Sequence, residues 1–129
     1  MEWQNICQET IIKALLHGID IHHINLILDL SYANLSNLNL SHANLSNLDL
    51  SHSNLSHTNL FYANLSHTNL SYANLDGANL DGAVLFKSYI KGTIFTKANI
   101  KNVFWPCGEF SNMCEIACNN PCPAWGEKS

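Results

Sequence analysis

A period of five runs through most of the chain and limits what it can become. From Leu28 to Asn102 the sequence divides into fifteen consecutive units of five, each with an apolar residue at its centre. The centres are Leu30, Leu35, Leu40, Leu45, Leu50, Leu55, Leu60, Leu65, Leu70, Leu75, Leu80 and Leu85, then Ile90, Phe95 and Ile100. Two positions earlier stands a small or moderate residue such as Ala33, Ser53, Thr58 or Ala73, with Leu28, Leu38 and Leu48 as larger exceptions. The residue just before the centre is Asn in ten units and Asp in two, and the residue just after it is Ser in eight.

Five matches neither the 3.6-residue repeat of an α-helix nor the alternation of a long strand. A bend must therefore fall once per unit. The centre and the residue two before it share one face of a short extended segment, and that face is the apolar one, so the chain has to wind with it inward. The second residue after the centre is His, Asn or Gly in ten of the fifteen units, types that tolerate the positive φ many tight turns demand.

Units such as Ala33-Asn34-Leu35-Ser36-Asn37, Ala73-Asn74-Leu75-Asp76-Gly77 and Ala78-Asn79-Leu80-Asp81-Gly82 resemble the pentapeptide repeat family. The resemblance implies an all-β solenoid, a right-handed quadrilateral β-helix with four units per coil and about four coils. Residues twenty apart would then stack. Tyr32, His52 and Tyr72 are expected to form an aromatic ladder, Asp81 to pair with Lys101 in an exposed ion pair, and the leucine centres to form interior columns. Where Val84, Tyr89 and Ile94 replace the Asn, the turn type or the surface packing is expected to change.

The whole of 1–129 reads as a single domain. Stacked coils need covered ends. Trp3, Ile6, Cys7, Ile11, Ala14 and Leu15 recur at helical spacing with Gly18 as a C-cap, so 1–18 reads as an N-terminal helical cap and 19–27 as a degenerate lead-in. The fifteen repeats occupy 28–102. After them 103–129 reads as a cap and tail, with Trp105 at the next centre position, Pro106 opposing further pairing, and a short helix over Phe110 to Asn119.

Cys107, Cys114, Cys118 and Cys122 crowd this tail. They are consistent with a disulfide staple, with reduced apolar thiols, or with a zinc site whose spacing lacks the paired short knuckles of common structural sites. A bond between Cys114 and Cys118 within one helix is geometrically poor, so a staple would involve Cys107 or Cys122. No other metal or cofactor site is expected. On a four-sided coil His42, His52, His57 and His67 project from different sides, and the adjacent His22 and His23 point apart in an extended segment.

No catalytic residue is expected either. The serines after each centre project from a convex surface without the pocket and oriented base that nucleophilic catalysis needs. A net charge of −4, six lysines and no arginine argue against a nucleic-acid partner. No stretch reaches the roughly 18 apolar residues of a membrane span, and the N-terminus lacks a secretory signal pattern, so no membrane partner is expected and the location reads as cytoplasmic. Without a concave pocket or a phosphate-binding Gly-rich loop, no small-molecule substrate is expected.

What remains is a non-enzymatic scaffold for an unknown protein partner. Tyr32, His52, Tyr62 and Tyr72 are the candidate binding residues, with Phe61 and Phe86 as further exposed aromatics. The resemblance suggests a cyanobacterial source and an alternative role, mimicry of DNA to regulate or protect DNA gyrase. That role needs acids along the rod, and the repeats carry only Asp29, Asp49, Asp76 and Asp81.

Overall fold

The computed structural model describes residues 8–19 and 29–105. Cys7, the lead-in histidines and the whole tail from Pro106, with its four cysteines and expected helix, lie outside the described residues. From residue 29 onward a turn of two residues alternates with a three-residue side carrying one bridge. Parallel bridges join residues twenty apart, from Asp29 with Asp49 to Val84 with Phe104. Four units therefore complete one coil. Among the described residues these sides form single bridges and not extended strands.

Units with a described coil above and below make the same set of inter-coil backbone bonds. The centre donates to the coil below, as Leu35 N–H does to Asn54 O at 2.7 Å, and Asn54 N–H donates back to Ala33 O at 2.9 Å. The second turn residue adds another bond, as from Asn37 N–H to Ser56 O at 3.0 Å. Parallel ladders need such a complete set because a buried unpaired amide is costly.

The second turn residue lies at positive φ throughout, between 55° at Tyr62 and 76° at Gly82. Within most turns the residue two before the next centre closes a bond to the preceding centre, as Ala63 N–H does to Leu60 O at 2.9 Å. A positive φ at the third position of such a turn is the type II geometry. Among the described residues every Ala, Ser or Thr at that closing position makes this bond, whereas Leu38, Leu48 and Val103 do not. The turns before Val84, Tyr89 and Ile94 all have the bond, closed by Ala83, Ser88 and Thr93. Of the two changes expected at those units the turn type stays the same, closure following the size of the inward residue, and it is the surface packing that differs, with Tyr89 and Ile94 exposed where Asn stands in other coils.

Inside, Leu30, Leu35, Leu40, Leu45, Leu50, Leu55, Leu60, Leu65, Leu70, Leu75, Leu80 and Leu85 are buried, each contributing roughly 2 kcal/mol from exclusion of water before entropy is counted. Ile90 is buried as well. Phe95 and Ile100, read from the sequence as core, are only half-buried in the last described coil, packed against the buried cluster, whereas Ile90 and Trp105 of the same coil are buried. Buried hydroxyls are satisfied: Thr58 and Thr68 donate at 2.7 Å to Leu35 O and Leu45 O in the coil above.

The repeat also runs one unit past Asn102. Leu85 N–H donates to Phe104 O, Phe104 N–H donates to Ala83 O, and Trp105 is buried as a sixteenth centre. Residues 103–105 thus belong to the coil and not to the tail.

The helix α1 spans Gln8–Leu16, with Ile11 and Leu15 buried in the same cluster as the leucine columns. It ends in a Schellman motif. Gly18 N–H bonds Leu15 O at 3.1 Å, Ile19 N–H bonds Ala14 O at 2.9 Å, and Gly18 has a φ of 72°.

Candidate interaction surface

The outward residues sort onto four sides, named here by their uppermost bridge residue. The Asp29 side carries Asp29, Asp49, Asn69 and Tyr89; the Asn34 side carries Asn34, Asn54, Asn74 and Ile94. The Asn39 side carries Asn39, Asn59, Asn79 and Asn99, and the Asn44 side carries Asn44, Asn64, Val84 and Phe104.

The asparagines hold the surface together. Each described Asn or Asp before a centre, among them Asn34, Asn54 and Asn64, accepts the N–H two residues on through its side-chain oxygen, at about 3.0 Å for Asn54. These are Asx turns, which fix the entry to each corner. On the Asn39 side the amides also bond to each other: Asn59 Nδ2 to Asn39 Oδ1 at 3.2 Å, Asn79 to Asn59 at 3.4 Å, and Asn99 to Asn79 at 3.2 Å. The sequence reading had no role for these asparagines, although their fixed position in twelve acidic or amide units was the signal. At Asp29 the same geometry has an electrostatic effect, because the Ser31 hydroxyl and then its N–H hold the carboxyl below its usual range against a small opposing effect of burial.

Corner residues stack as the twenty-residue register requires. Tyr32 and His52 lie with ring centroids 4.6 Å apart and 2° between planes, and His52 and Tyr72 follow at 5.2 Å and 15°. Below Tyr72 comes Gly92, where a Cβ would meet the Tyr72 ring at 2.5 Å. A second stack, His42 over Tyr62 at 5.7 Å, ends on Gly82 in the same way. Tyr, His and Lys take the same positive φ elsewhere, and at these two glycines the ring above lies where a side chain would stand.

The candidate binding residues do not form one site. Tyr32, His52 and Tyr72 share the corner between the Asp29 and Asn34 sides, whereas Tyr62 stands on the diagonally opposite corner. Phe61, read as exposed, is half-buried, with its edge against Tyr62 at 4.4 Å and against His42 at 5.7 Å. His42, His52, His57 and His67 occupy four different corners, and among the described residues no three His, Cys, Asp or Glu come close enough to hold a metal. Asp81 and Lys101 do stack, but the expected ion pair is replaced: Asp81 Oδ1 accepts from the Asn102 amide at 3.0 Å.

A different surface was missed. Around the last coils Phe86, Tyr89, Ile94 and Phe104 are exposed, at 46%, 64%, 46% and 67%. On the Asn44 side a cleft of about 560 Å³ is lined by Asn64, Ser66, Val84, Phe86, Phe104 and Trp105. The replacement of Asn by Val84, Tyr89 and Ile94 marked this region in the sequence. Its outward direction was hidden because an apolar residue in a repeat is read as core by default.

A family model described as pentapeptide repeats matches residues 29–61 and 63–102 in eight copies. No curated protein matches the chain. Among solved structures the chain is similar to alr5209, a pentapeptide repeat protein from Nostoc PCC 7120, at 29% identity over 75% of this chain and 74% of that one, with a TM-score of 0.51. It is also similar to Rfr23 from the cyanobacterium Cyanothece 51142, at 40% identity over 58% of this chain and 54% of that one, TM-score 0.31. HetL, a pentapeptide repeat protein involved in heterocyst differentiation regulation in Nostoc sp. PCC 7120, aligns at 30% identity over 64% of this chain and 46% of that one, TM-score 0.30.

Proposed function

The chain belongs to the pentapeptide repeat family, whose members fold as right-handed β-helices, and from that premise we propose that it is a non-catalytic scaffold that binds another protein through the sides of its last coils. One observation carries the reading. Large apolar side chains stand exposed around the last coils: Phe86 and Phe104 at the Asn44 side and its corner, Tyr89 on the Asp29 side and Ile94 on the Asn34 side, at positions that asparagine and serine mostly fill in the coils above. Burying them on a partner is favourable at roughly 25 cal/mol per Å² of apolar area, and unlike Tyr32, Tyr62 and Tyr72, which stack on rings of the neighbouring coils, Tyr89, Ile94 and Phe104 stand in columns that asparagine or aspartate opens.

In the same reading α1 closes the upper end. In every lower coil the carbonyls equivalent to Asp29 O and Ser31 O accept N–H groups from the coil above, as Asp49 O and Ser51 O do. At the first coil the Gln8 side-chain amide stands in for those groups, donating to Ser31 O at 3.0 Å and more weakly to Asp29 O at 3.4 Å.

Mimicry of DNA toward gyrase is not favoured by the charge layout. Asp29 and Asp49 share one side, Asp76 and Asp81 lie on successive corners, and lysines occupy all four corners of the last coil. A supercoiling assay with gyrase separates the roles, since inhibition at low protein concentration would revive mimicry. The scaffold reading is tested by affinity capture from source-cell extract with two controls. Changing Phe86 and Phe104 to Ser is expected to abolish capture of a specific partner, and changing Tyr32, Tyr62 and Tyr72 to Ser to leave it; the reverse outcome would move the interface to the corner stacks.

A further inference from the structure

The cleft on the Asn44 side has a floor, a rim and a charge. Val84 and Phe104 stack in one column, bridged to each other and to Asn64 above, while buried Trp105 lies at the base. Phe86 forms the wall at the corner. Asn64 and Ser66 close the upper end with polar groups. An elongated apolar trough of this size accepts one or two large side chains and leaves polar groups at its end for a peptide backbone.

Two of the four corner lysines of the last coil, Lys87 and Lys101, bound the side that carries the cleft. Lys87 follows Phe86 at one corner and holds its ammonium 5.4 Å from the Phe86 ring centroid, so one charge is fixed at the lip. Lys101 occupies the corner on the other flank, at the level of Phe104, and Lys91 lies one corner beyond Lys87. The carboxylate on the Lys101 corner, Asp81, is one coil higher and is already engaged by the Asn102 amide. All four lysines of the repeats, Lys87, Lys91, Lys97 and Lys101, lie in this last coil, whereas the acids of the repeats lie above it. An apolar trough between two cations complements an apolar anchor flanked by carboxylates.

We propose that this cleft binds an acidic peptide segment of a partner protein, with one aromatic or branched apolar side chain seated between Phe86 and Phe104 and flanking carboxylates facing Lys87 and Lys101. The assignment rests on the scaffold reading and adds the chemistry of the partner to it. The apolar anchor supplies affinity, and the lysines supply orientation and a salt-dependent encounter rate. A basic or neutral segment of the same shape would lose the second contribution and meet like charge at both flanks.

The test is selection of random displayed linear peptides on the full chain, followed by fluorescence anisotropy with the enriched sequences made synthetically. The proposal expects enriched peptides with net negative charge and an aromatic or branched anchor, weaker binding as salt rises, and a loss of about tenfold or more in affinity, about 1.4 kcal/mol, in a Phe86→Ser, Phe104→Ser variant. A Lys87→Glu, Lys101→Glu variant, whose changes lie on exposed corners, is expected to lose the same peptides while keeping its fold by circular dichroism. Enriched peptides that are neutral or basic, or that bind both variants unchanged, would overturn it. So would a photo-crosslinker at position 104 that links, without peptide, to residues 106–129 of the same chain or to a second copy. If the selected peptides depend on Tyr32, Tyr62 and Tyr72 instead, the cleft assignment fails and the scaffold reading stands; if no partner is captured and no peptide is enriched, both fail.

Discussion

Asn59 bonds in three directions at once: its side-chain oxygen accepts Phe61 N–H at 3.1 Å and the Asn79 amide at 3.4 Å, while its own amide donates to Asn39. An Asn59→Ala variant leaves the Phe61 N–H without its acceptor and cuts the amide ladder at two levels. The expected loss is about 1–2 kcal/mol, read as a lower urea midpoint. Asp29 offers a pH test of the same motif. Its carboxyl is held below the usual range in the folded chain by Ser31, so the ionised form contributes stability at pH values above the ordinary carboxylate pKa. That contribution is lost as pH falls through the lowered folded value. Asp29→Asn keeps an acceptor for the Ser31 N–H but cannot titrate, and the acid limb of its stability profile should be flatter than that of the parent; an unchanged limb would show that this carboxyl is not linked to folding.

At the scale of the element, turns and the end helix obey rules that can be broken one at a time. Ala63 N–H closes its turn on Leu60 O, and Leu38 and Leu48 show that a bulky residue at the equivalent position goes with an open turn. Ala63→Leu, in the middle of the stack, should therefore open that turn and overfill the interior, costing about 1–3 kcal/mol in equilibrium unfolding. A stability equal to the parent's would mean that side-chain size does not govern closure. At the upper end Gln8→Ala removes the donors to Ser31 O and Asp29 O. Faster amide exchange is expected in α1, with the middle coils unchanged, because each level of a solenoid depends on its neighbours.

These elements also show why the sequence was readable in some places and opaque in others. The leucine columns and the positive-φ corners were evident because one requirement recurs unit after unit, and the stacking of Tyr32, His52 and Tyr72 followed from the register alone. The inclusion of Phe104 and Trp105 in the coil was obscured by Pro106, which argues against pairing one residue too late to prevent it. The outward direction of Val84 and Phe104 was obscured by their chemistry, which is that of a core. Tyr62 was grouped with Tyr32 and Tyr72 by residue type, yet its position in the four-unit coil assigns it to another corner.

For the whole molecule, everything rests on a coil of twenty residues. That number aligns the asparagine ladder, ends the aromatic stacks on glycine, separates the histidines, and brings Val84, Phe86 and Phe104 to one cleft beside Lys87 and Lys101. A coil of any other length would keep the leucines inward and dissolve all four arrangements. The measurement that tests it most directly is a set of backbone nuclear Overhauser contacts along the Asn39, Asn59, Asn79 and Asn99 column. The account predicts contacts between residues twenty apart at every step, and contacts at fifteen or twenty-five residues in their place would contradict it.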